Sequence, residues 1–444
     1  MWQLQVRQDR TKRNAKKPTG RKSITSPDIA AASRPLPGWR VEFGRNWPIV
    51  LGCLLGLAAG VLSLPFIMVT FFIKDWESEF GWARGSIALA PVCLFSALAI
   101  AAPFAGWLSD RIAAVWLVGV SLVGVALGMY LNSTLTGRLW ELLALMTFLG
   151  LIGAGSSSLV FSRIINANFS DARGTALGIA LIGNGLSQGI APALLAPYVA
   201  DHGWRQGVVA LSLVGLIGTP IVISLLRNAQ RGVQQAETAV PADGMSFGDA
   251  VRSRVFWIMA IAFFLTMLPA TGLLGNFITL LRDQHATPSQ LGLYGGLMGL
   301  FLIVGRLLAG WLFDRAFAPF VAAAMMLICA VGFLVLAEWG LPVAALGALS
   351  IGLSYGAEVD MAGYLTARYF GMRAFGRCYG VLYTFVLIGA IAGPWSFAIL
   401  YDVTKSYNVA LLGGAGLFFT GSMLLLTLPR FSHTPLPTQQ PAIR

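Results

Sequence analysis

The sequence predicts an all-α integral membrane protein of twelve spans, arranged as two similar six-helix bundles with both termini in the cytosol. The first observation is composition: 56% of the 444 residues are hydrophobic and only 11% are charged, which leaves too few polar groups to cover a soluble globule. The second is a repeat, AGWLSDR at Ala105–Arg111 and AGWLFDR at Ala309–Arg315. Each copy closes a long apolar run, so we expect both to mark a membrane surface.

The spans follow from apolar runs of about 20 residues, the length that crosses about 30 Å of hydrocarbon. The predicted spans are 48–73, 86–108, 114–132, 140–162, 174–199, 206–226, 254–281, 290–314, 318–338, 341–368, 374–401 and 407–428. Their connections are short and polar, except that from Arg227 to Ser253. Its first part has the composition of a linker, and the following SFGDAVRSR predicts a short surface helix.

The repeat divides the chain into two like-oriented parts. Beyond the heptapeptide, Gly174 and Gly178 correspond to Gly376 and Gly380, and Pro192 to Pro394. This pattern predicts a pseudo-twofold axis along the membrane normal. The expected domains are a basic tail (1–46), a first bundle (47–228), a linker (229–253), a second bundle (254–429) and a C-terminal tail (430–444).

The distribution of Lys and Arg predicts the orientation. One side of the predicted topology carries the tail and Arg111, Arg163, Arg173, Arg227, Arg231, Arg252, Arg254, Arg315, Arg368, Arg373, Arg377, Arg430 and Arg444. The other side carries Lys74, Arg84, Arg138, Arg205, Arg282 and Lys405. The positive-inside rule places the first set in the cytosol. We also expect a monomer in the cell (inner) membrane, without a cleaved signal. The net charge of +12 then indicates attraction to anionic lipid rather than to nucleic acid.

Catalytic and metal-binding motifs are missing from the sequence. It contains no Walker-type phosphate loop, HExxH or GxSxG, and its three His are scattered. The four Cys lack CxxC spacing and are expected to be buried thiols. We therefore expect neither an enzyme nor a cofactor.

The segments GWLSDR at Gly106–Arg111 and GRLLAGWLFDR at Gly305–Arg315 resemble the signature of the major facilitator superfamily of secondary transporters. Residues 112–115 depart from it, because Ile-Ala-Ala-Val replaces the usual Gly and basic residues. The resemblance implies a cytosolic gate formed by Asp110, Arg111, Asp314 and Arg315. The alternative is that these residues cap span ends and anchor them in the membrane; we favour the gate for the Asp residues and anchoring for the Arg residues.

Within the superfamily, residues 169–205 and 367–380 resemble the monocarboxylate and oxalate/formate transporter branch, although the span-one Lys of animal monocarboxylate transporters is absent. The resemblance implies transport of a small organic anion. Gly380, Gly389 and Gly393-Pro394 reproduce the glycine spacing of drug exporters, but in span eleven rather than span five, which makes export the second hypothesis. A transporter-like nutrient sensor is the third.

Three ionisable residues within predicted spans are candidates for function. Arg306, Glu358 and Asp360 correspond under the repeat offset to Ala102, Ala154 and Ser156, so the shared scaffold does not require their charges. A charge in hydrocarbon is costly and persists where it lines a cavity or has a partner. We expect Arg306 to bind a substrate carboxylate, with Glu358 or Asp360 as its resting partner and proton carrier. The alternative is a set of structural ion pairs.

Polar residues of spans five, ten and eleven complete the candidate site. Asn184 and Gln188 lie four apart on one helical face near the midplane, where they either bind substrate or join helices beside a Gly185/Gly189 packing surface. Tyr355 and Tyr383 are further candidate substrate ligands. Tyr364 and Tyr379 are weaker candidates of the same kind.

Overall fold

The computed structural model describes residues 39–239 and 244–431, with the side chains of 40, 41 and 228–239 left undescribed. Most of the predicted N-terminal tail, residues 240–243 of the predicted linker and the end of the C-terminal tail lie outside this range. The first half of the chain contains α1 (Trp39–Ala58), α2 (Leu64–Phe80), α3 (Arg84–Ile87), α4 (Leu89–Ser109), α5 (Ala114–Asn132), α6 (Leu139–Ile152), α7 (Ser158–Asn168) and α8 (Arg173–Ala239). The second half contains α9 (Phe247–Arg252), α10 (Arg254–Asp283), α11 (Pro288–Arg315), α12 (Ala318–Trp339), α13 (Ala344–Phe370), α14 (Phe375–Thr404) and α15 (Asn408–Leu426).

The protein is an all-α, multi-pass membrane protein. Ten helical stretches of the described ranges are long and apolar enough to cross a membrane. The number differs from twelve for two reasons. The predicted first span is divided between α1 and α2, and the predicted fifth and sixth spans form the single stretch Arg173–Arg227, whose backbone kinks at Gly203 (φ 80°, ψ 168°).

Two interrupted helices meet inside the first half. The break between α1 and α2 contacts the break between α6 and α7, where the N–H of Val61 donates to Oγ of Ser156 (3.3 Å). Oγ of Ser63 donates to the carbonyl of Leu57 (2.8 Å). Irregular backbone at membrane depth requires such internal partners, because lipid offers no hydrogen bonds.

The two most extensive contacts between the halves are helix pairs. Within the halves, α1 and α5 pack on α8, α10 on α14, α11 on α13, and α12 on α15. Across the halves, α4 packs on α14 and α11 packs on α8. The two crossing pairs correspond under the sequence repeat, because α4 and α11 each end with one copy of the heptapeptide.

The connection between the halves differs from the predicted linker. Helix α8 continues to Ala239, so the first part of this connection is helical. The expected short surface helix is present as α9, and Oγ of Ser246 accepts a hydrogen bond from the N–H of Asp249 (3.2 Å) at its start. Just before α9, the N–H of Met245 donates to the carbonyl of Phe370 (2.9 Å).

Candidate functional site

Glycines bring the crossing helices into backbone contact. A Cβ at Gly106 of α4 would collide with the carbonyl oxygen of Gly376 of α14, and a Cβ at Gly310 of α11 would collide with that of Gly174 of α8. The two contacts are equivalent under the repeat. We name the end of the molecule that contains them the repeat end.

The Asp of each repeat caps a helix of the opposite half. The carboxylate of Asp314 accepts hydrogen bonds from the N–H groups of Gly174 (2.7 Å) and Thr175 (2.8 Å) and from Oγ1 of Thr175 (2.8 Å). These N–H groups belong to the first turn of α8 and have no partner within that helix. A carboxylate at this position also interacts favourably with the helix dipole.

Asp110 makes the equivalent contact with α14. Its carboxylate accepts hydrogen bonds from the N–H groups of Gly376 (2.9 Å) and Arg377 (3.0 Å). Nε of Arg163 and Nε of Arg377 lie 3.7 Å and 3.5 Å from its oxygens. Burial raises the pKa of the Asp110 carboxyl above its ordinary value, and the Arg163 charge and the two N–H groups oppose that shift. The carboxylate is therefore held by donors from both halves.

The Arg residues of the repeats lie outside these contacts. The guanidinium carbon of Arg111 lies 4.1 Å from the ring centroid of Trp107, and that of Arg315 lies 4.2 Å from the centroid of Trp311. Nη1 of Arg315 also donates to the carbonyl of Trp311 (3.2 Å). Both Arg therefore stack on the Trp of their own repeat copy, and the structure brings the two Asp, but not the two Arg, into the contact between the halves.

The contact between α8 and α11 is confined to the repeat end. A Cβ at Gly178 would lie 2.9 Å from the carbonyl oxygen of Arg306, but Gly185 and Gly189, about two and three turns further along α8, have no neighbouring atom within 4 Å of a Cβ. On α11, Gly299 is equally free. The two helices thus touch near the repeat end and separate beyond Arg306.

Arg306 lies where these helices separate. Its side chain is 3% exposed. Nη1 donates to the carbonyl of Leu181 in α8, and Nε donates to the carbonyl of Gly356 in α13 (3.4 Å). Main-chain carbonyls carry no formal charge, so the guanidinium is buried with neutral acceptors.

Two of the candidate tyrosines interact with this guanidinium. Tyr355 of α13 and Tyr383 of α14 both interact electrostatically with Arg306. Oγ of Ser158, the first residue of α7, donates to the hydroxyl of Tyr383 (3.1 Å). Helices of both halves therefore converge on one cluster of polar groups.

The expected ion pair between Arg306 and a carboxylate is not formed in this structure. Oε1 of Glu358 accepts a hydrogen bond from Oγ1 of Thr266 in α10 (2.7 Å), which draws Glu358 toward its own half. Asp360 is 0% exposed, and within the described ranges neither of its oxygens has a hydrogen-bond partner. Glu358 and Asp360 lie two residues apart on one helix. Their carboxylates therefore point to different neighbours and cannot both face Arg306.

Asn184 and Gln188 bind the interrupted first helix. Oδ1 of Asn184 accepts a hydrogen bond from Oγ of Ser63 (3.0 Å), and Nε2 of Gln188 donates to the carbonyl of Leu62 (3.4 Å). The two amides thus join α8 to a neighbouring helix, which was the alternative to substrate binding, although a Cβ at Gly185 or Gly189 would meet no atom within 4 Å. The two amides supply partners for irregular backbone.

The weaker tyrosine candidates have structural partners. The hydroxyl of Tyr364 donates to the carbonyl of Phe313 (2.7 Å), and that of Tyr379 to the carbonyl of Val359 (3.2 Å). Ser158 and Thr266 were not among the residues predicted from the sequence. The run of serines at 156–158, in the middle of an apolar segment, is a signal that could have indicated Ser158.

The sequence of this chain is similar to those of known membrane transporters. The sequence model of the Major Facilitator Superfamily matches residues 55–394. Human monocarboxylate transporter 11 is 25% identical over 425 residues, covering 91% of this chain and 87% of the relative. Bovine monocarboxylate transporter 13 is 26% identical, covering 90% of this chain and 92% of the relative.

Solved transporters share the fold. The proton:xylose symporter XylE superposes with a TM-score of 0.68 at 12% identity, covering 87% of this chain and 96% of the symporter. The human organic anion transporter MFSD10 superposes with a TM-score of 0.61 at 20% identity, covering 86% and 99%. These relatives are named as transporters rather than enzymes. The chain belongs to the Major Facilitator Superfamily and is a membrane transporter.

Proposed function

We propose that this protein is a secondary active transporter that moves a small organic anion, of the monocarboxylate class, together with a proton by alternating access. The observation that carries the proposal is the position of Arg306. It is a buried cation with carbonyl partners, at the point where α8 and α11 separate and where both halves of the chain supply polar groups. The similarity to monocarboxylate transporters supports the same substrate class.

In this proposal Arg306 binds the substrate carboxylate through its planar set of donors. A carboxylate is a stronger acceptor for a guanidinium than the carbonyls of Leu181 and Gly356, so the anion competes well for these N–H groups. Tyr355 and Tyr383 supply hydroxyls beside it. Because Leu181 belongs to α8, substrate binding at Arg306 changes a contact that joins the two halves.

Asp360 carries the coupled proton in this proposal. A fully buried carboxylate without hydrogen-bond donors is costly in its ionised form, so the proton accompanies it into this environment. Arg306 interacts electrostatically with Asp360, so its positive charge acts on both the substrate site and the proton site of this proposal. Glu358, bonded to Thr266, is the second candidate for this role.

We further propose twelve spans with both termini in the cytosol, as a monomer in the cell (inner) membrane. A straight helix of 55 residues is about 80 Å long, more than twice the hydrocarbon thickness, so Arg173–Arg227 supplies two spans that meet at Gly203. Helices α1 and α2 together supply the first span. The repeat end is then cytosolic, and this structure corresponds to a state closed toward the cytosol.

Asp110 and Asp314 form the cytosolic gate in this proposal. Their hydrogen bonds join opposite halves and must break when the helices separate toward the cytosol. Arg111 and Arg315 anchor the helix ends through their Trp partners.

The test is accumulation of labelled monocarboxylates by proteoliposomes under an inward proton gradient, compared between the native chain and Arg306→Ala. We expect accumulation by the native chain and its loss in the variant. Arg315→Ala is the matched control, because it removes an Arg from the same helix outside the cluster. Extrusion of amphipathic drugs without carboxylate transport would establish the exporter hypothesis instead.

A further inference from the structure

The carboxylate of Glu42, at the beginning of α1, holds the connection between α7 and α8. It accepts hydrogen bonds from the N–H groups of Ser170 (2.5 Å), Asp171 (3.0 Å) and Ala172 (3.0 Å), and from Oγ of Ser170 (3.0 Å). Glu42 is 8% exposed. Hydrogen bonds to an ionised acceptor are shorter and stronger than neutral ones, so one buried carboxylate fixes three successive peptide groups.

These peptide groups directly precede those bound by Asp314. Glu42 binds the N–H groups up to Ala172, and Asp314 binds those of Gly174 and Thr175. The side chain of Arg173, between them, interacts electrostatically with both carboxylates. Two acidic side chains, from different helices and different halves, therefore share the beginning of α8.

Among the described residues, the corresponding connection in the second half is held by main-chain contacts rather than by a carboxylate. The segment before α14 is bound by Met245, whose N–H donates to the carbonyl of Phe370 (2.9 Å), beside a bridge between Gly244 and Gly371. Under the repeat, Met245 lies close to the position equivalent to Glu42. In the part of the chain that the structure describes, the two helix ends that receive Asp110 and Asp314 are thus supported differently, by a side-chain carboxylate before α8 and by main-chain contacts before α14.

We propose that Glu42 is a positioning residue of the gate, which fixes the first turn of α8 so that the N–H groups of Gly174 and Thr175 face Asp314. Loss of the Glu42 acceptor releases residues 170–172 and misaligns the two donors that follow. The Asp314 contact weakens as a result, whereas the Asp110 contact with α14 is unaffected. The inference rests on the gate proposed above.

Hydrogen–deuterium exchange of the full chain in lipid nanodiscs tests this directly. The amides of Gly174 and Thr175 lie in the first turn of α8, so their protection depends on Asp314. We expect Asp314→Asn and Glu42→Gln each to accelerate their exchange by about tenfold, the effect of losing a hydrogen bond to a charged group. The double variant is expected to add little to either change. The amides of Gly376 and Arg377 are the internal control and keep their native exchange rates.

Each outcome has a separate meaning. If Asp314→Asn leaves the exchange of Gly174 and Thr175 unchanged, the gate contact itself is wrong. If only Asp314→Asn accelerates it, the role of Glu42 is wrong and the gate stands. Equal acceleration at Gly376 and Arg377 in Glu42→Gln indicates general loosening and also overturns the inference. Glu42→Asp, which keeps the charge on a shorter side chain, is expected to give an intermediate rate and replaces Glu42→Gln if that variant does not fold.

Discussion

Nη1 of Arg306 donates to the main-chain carbonyl of Leu181, and this hydrogen bond joins α11 of one half to α8 of the other. It lies at the last contact between these helices before they separate. A ligand that takes this donor from Leu181 removes an interaction that holds the halves together. Substrate binding and the closure of the repeat end thus share one side chain.

Replacement of Arg306 is expected to abolish transport while the protein still reaches the membrane. Loss of charge-assisted hydrogen bonds, worth about 1.5–3 kcal/mol each, corresponds to about a tenfold to hundredfold loss of affinity per bond. Arg306→Lys keeps the charge without the planar donor set, so we expect a raised KM with measurable transport. Uptake of labelled monocarboxylate, normalised to the amount of protein in the liposomes, provides the measurement.

Two results would contradict this assignment. One is unchanged uptake by Arg306→Ala. The other is an equal loss in Arg315→Ala, because Arg315 stacks on Trp311 outside the cluster and its removal tests general effects of losing a cation from α11.

Replacement of Asp360 is expected to separate proton coupling from substrate movement. Asp360→Asn keeps the shape of the side chain but removes the ionisable group, so the exchange of labelled for unlabelled substrate continues while proton-driven accumulation stops. Glu358→Gln keeps an acceptor for Thr266 and should retain accumulation. The reverse pattern assigns the proton to Glu358. Accumulation and counterflow in the same proteoliposomes distinguish these cases.

Local sequence features predicted most of the helices and singled out the charged residues that lie within them. The repeat identified Arg306 as a departure from symmetry, and apolar runs located the helices. The partners of Arg306 could not be predicted, because they are the main-chain carbonyls of Leu181 and Gly356, which every residue type has. Any residue at those positions presents the same main-chain acceptor.

Asn184 and Gln188 show the same limit for polar side chains. Their spacing correctly placed them on one face of a helix, but the neighbour of that face depends on tertiary packing. The break between α1 and α2 supplies that neighbour, through Leu62 and Ser63. The predicted first span is continuous in hydropathy, so its interruption could not be inferred from apolar character alone.

Neutralising Asp110 is expected to loosen the contact between α4 and α14 at the repeat end. Asp110→Asn replaces one acceptor oxygen by a donor that faces the N–H groups of α14. Loss of the charge-assisted bond is expected to raise the population of the open contact about tenfold or more. Cys378 is a natural reporter, because it is 0% exposed and directly follows Arg377, whose N–H donates to Asp110. Its labelling by a maleimide, with Cys53, Cys93 and Cys329 replaced, should accelerate accordingly.

Arg111→Ala is the matched control for the gate. Its guanidinium stacks on Trp107 beside Asp110 without entering the contact with α14, so labelling of Cys378 should keep its native rate. A similar acceleration in Arg111→Ala would show that the whole AGWL-x-DR segment, rather than the Asp, closes the repeat end.

Adding a methyl group at a glycine of the crossing helices is expected to prevent their close approach. In Gly106→Ala the new Cβ collides with the carbonyl of Gly376, and neither backbone yields easily, so we expect a destabilisation of the closed state by about 1–3 kcal/mol. Gly413→Ala in α15 is the control, because no atom lies within 4 Å of its Cβ and Ala favours the helix. Cys378 labelling should accelerate about fivefold or more in the first variant and stay unchanged in the second. Unchanged labelling in Gly106→Ala would mean that the backbone contact between α4 and α14 does not control closure, which would then depend on the Asp110 hydrogen bonds alone.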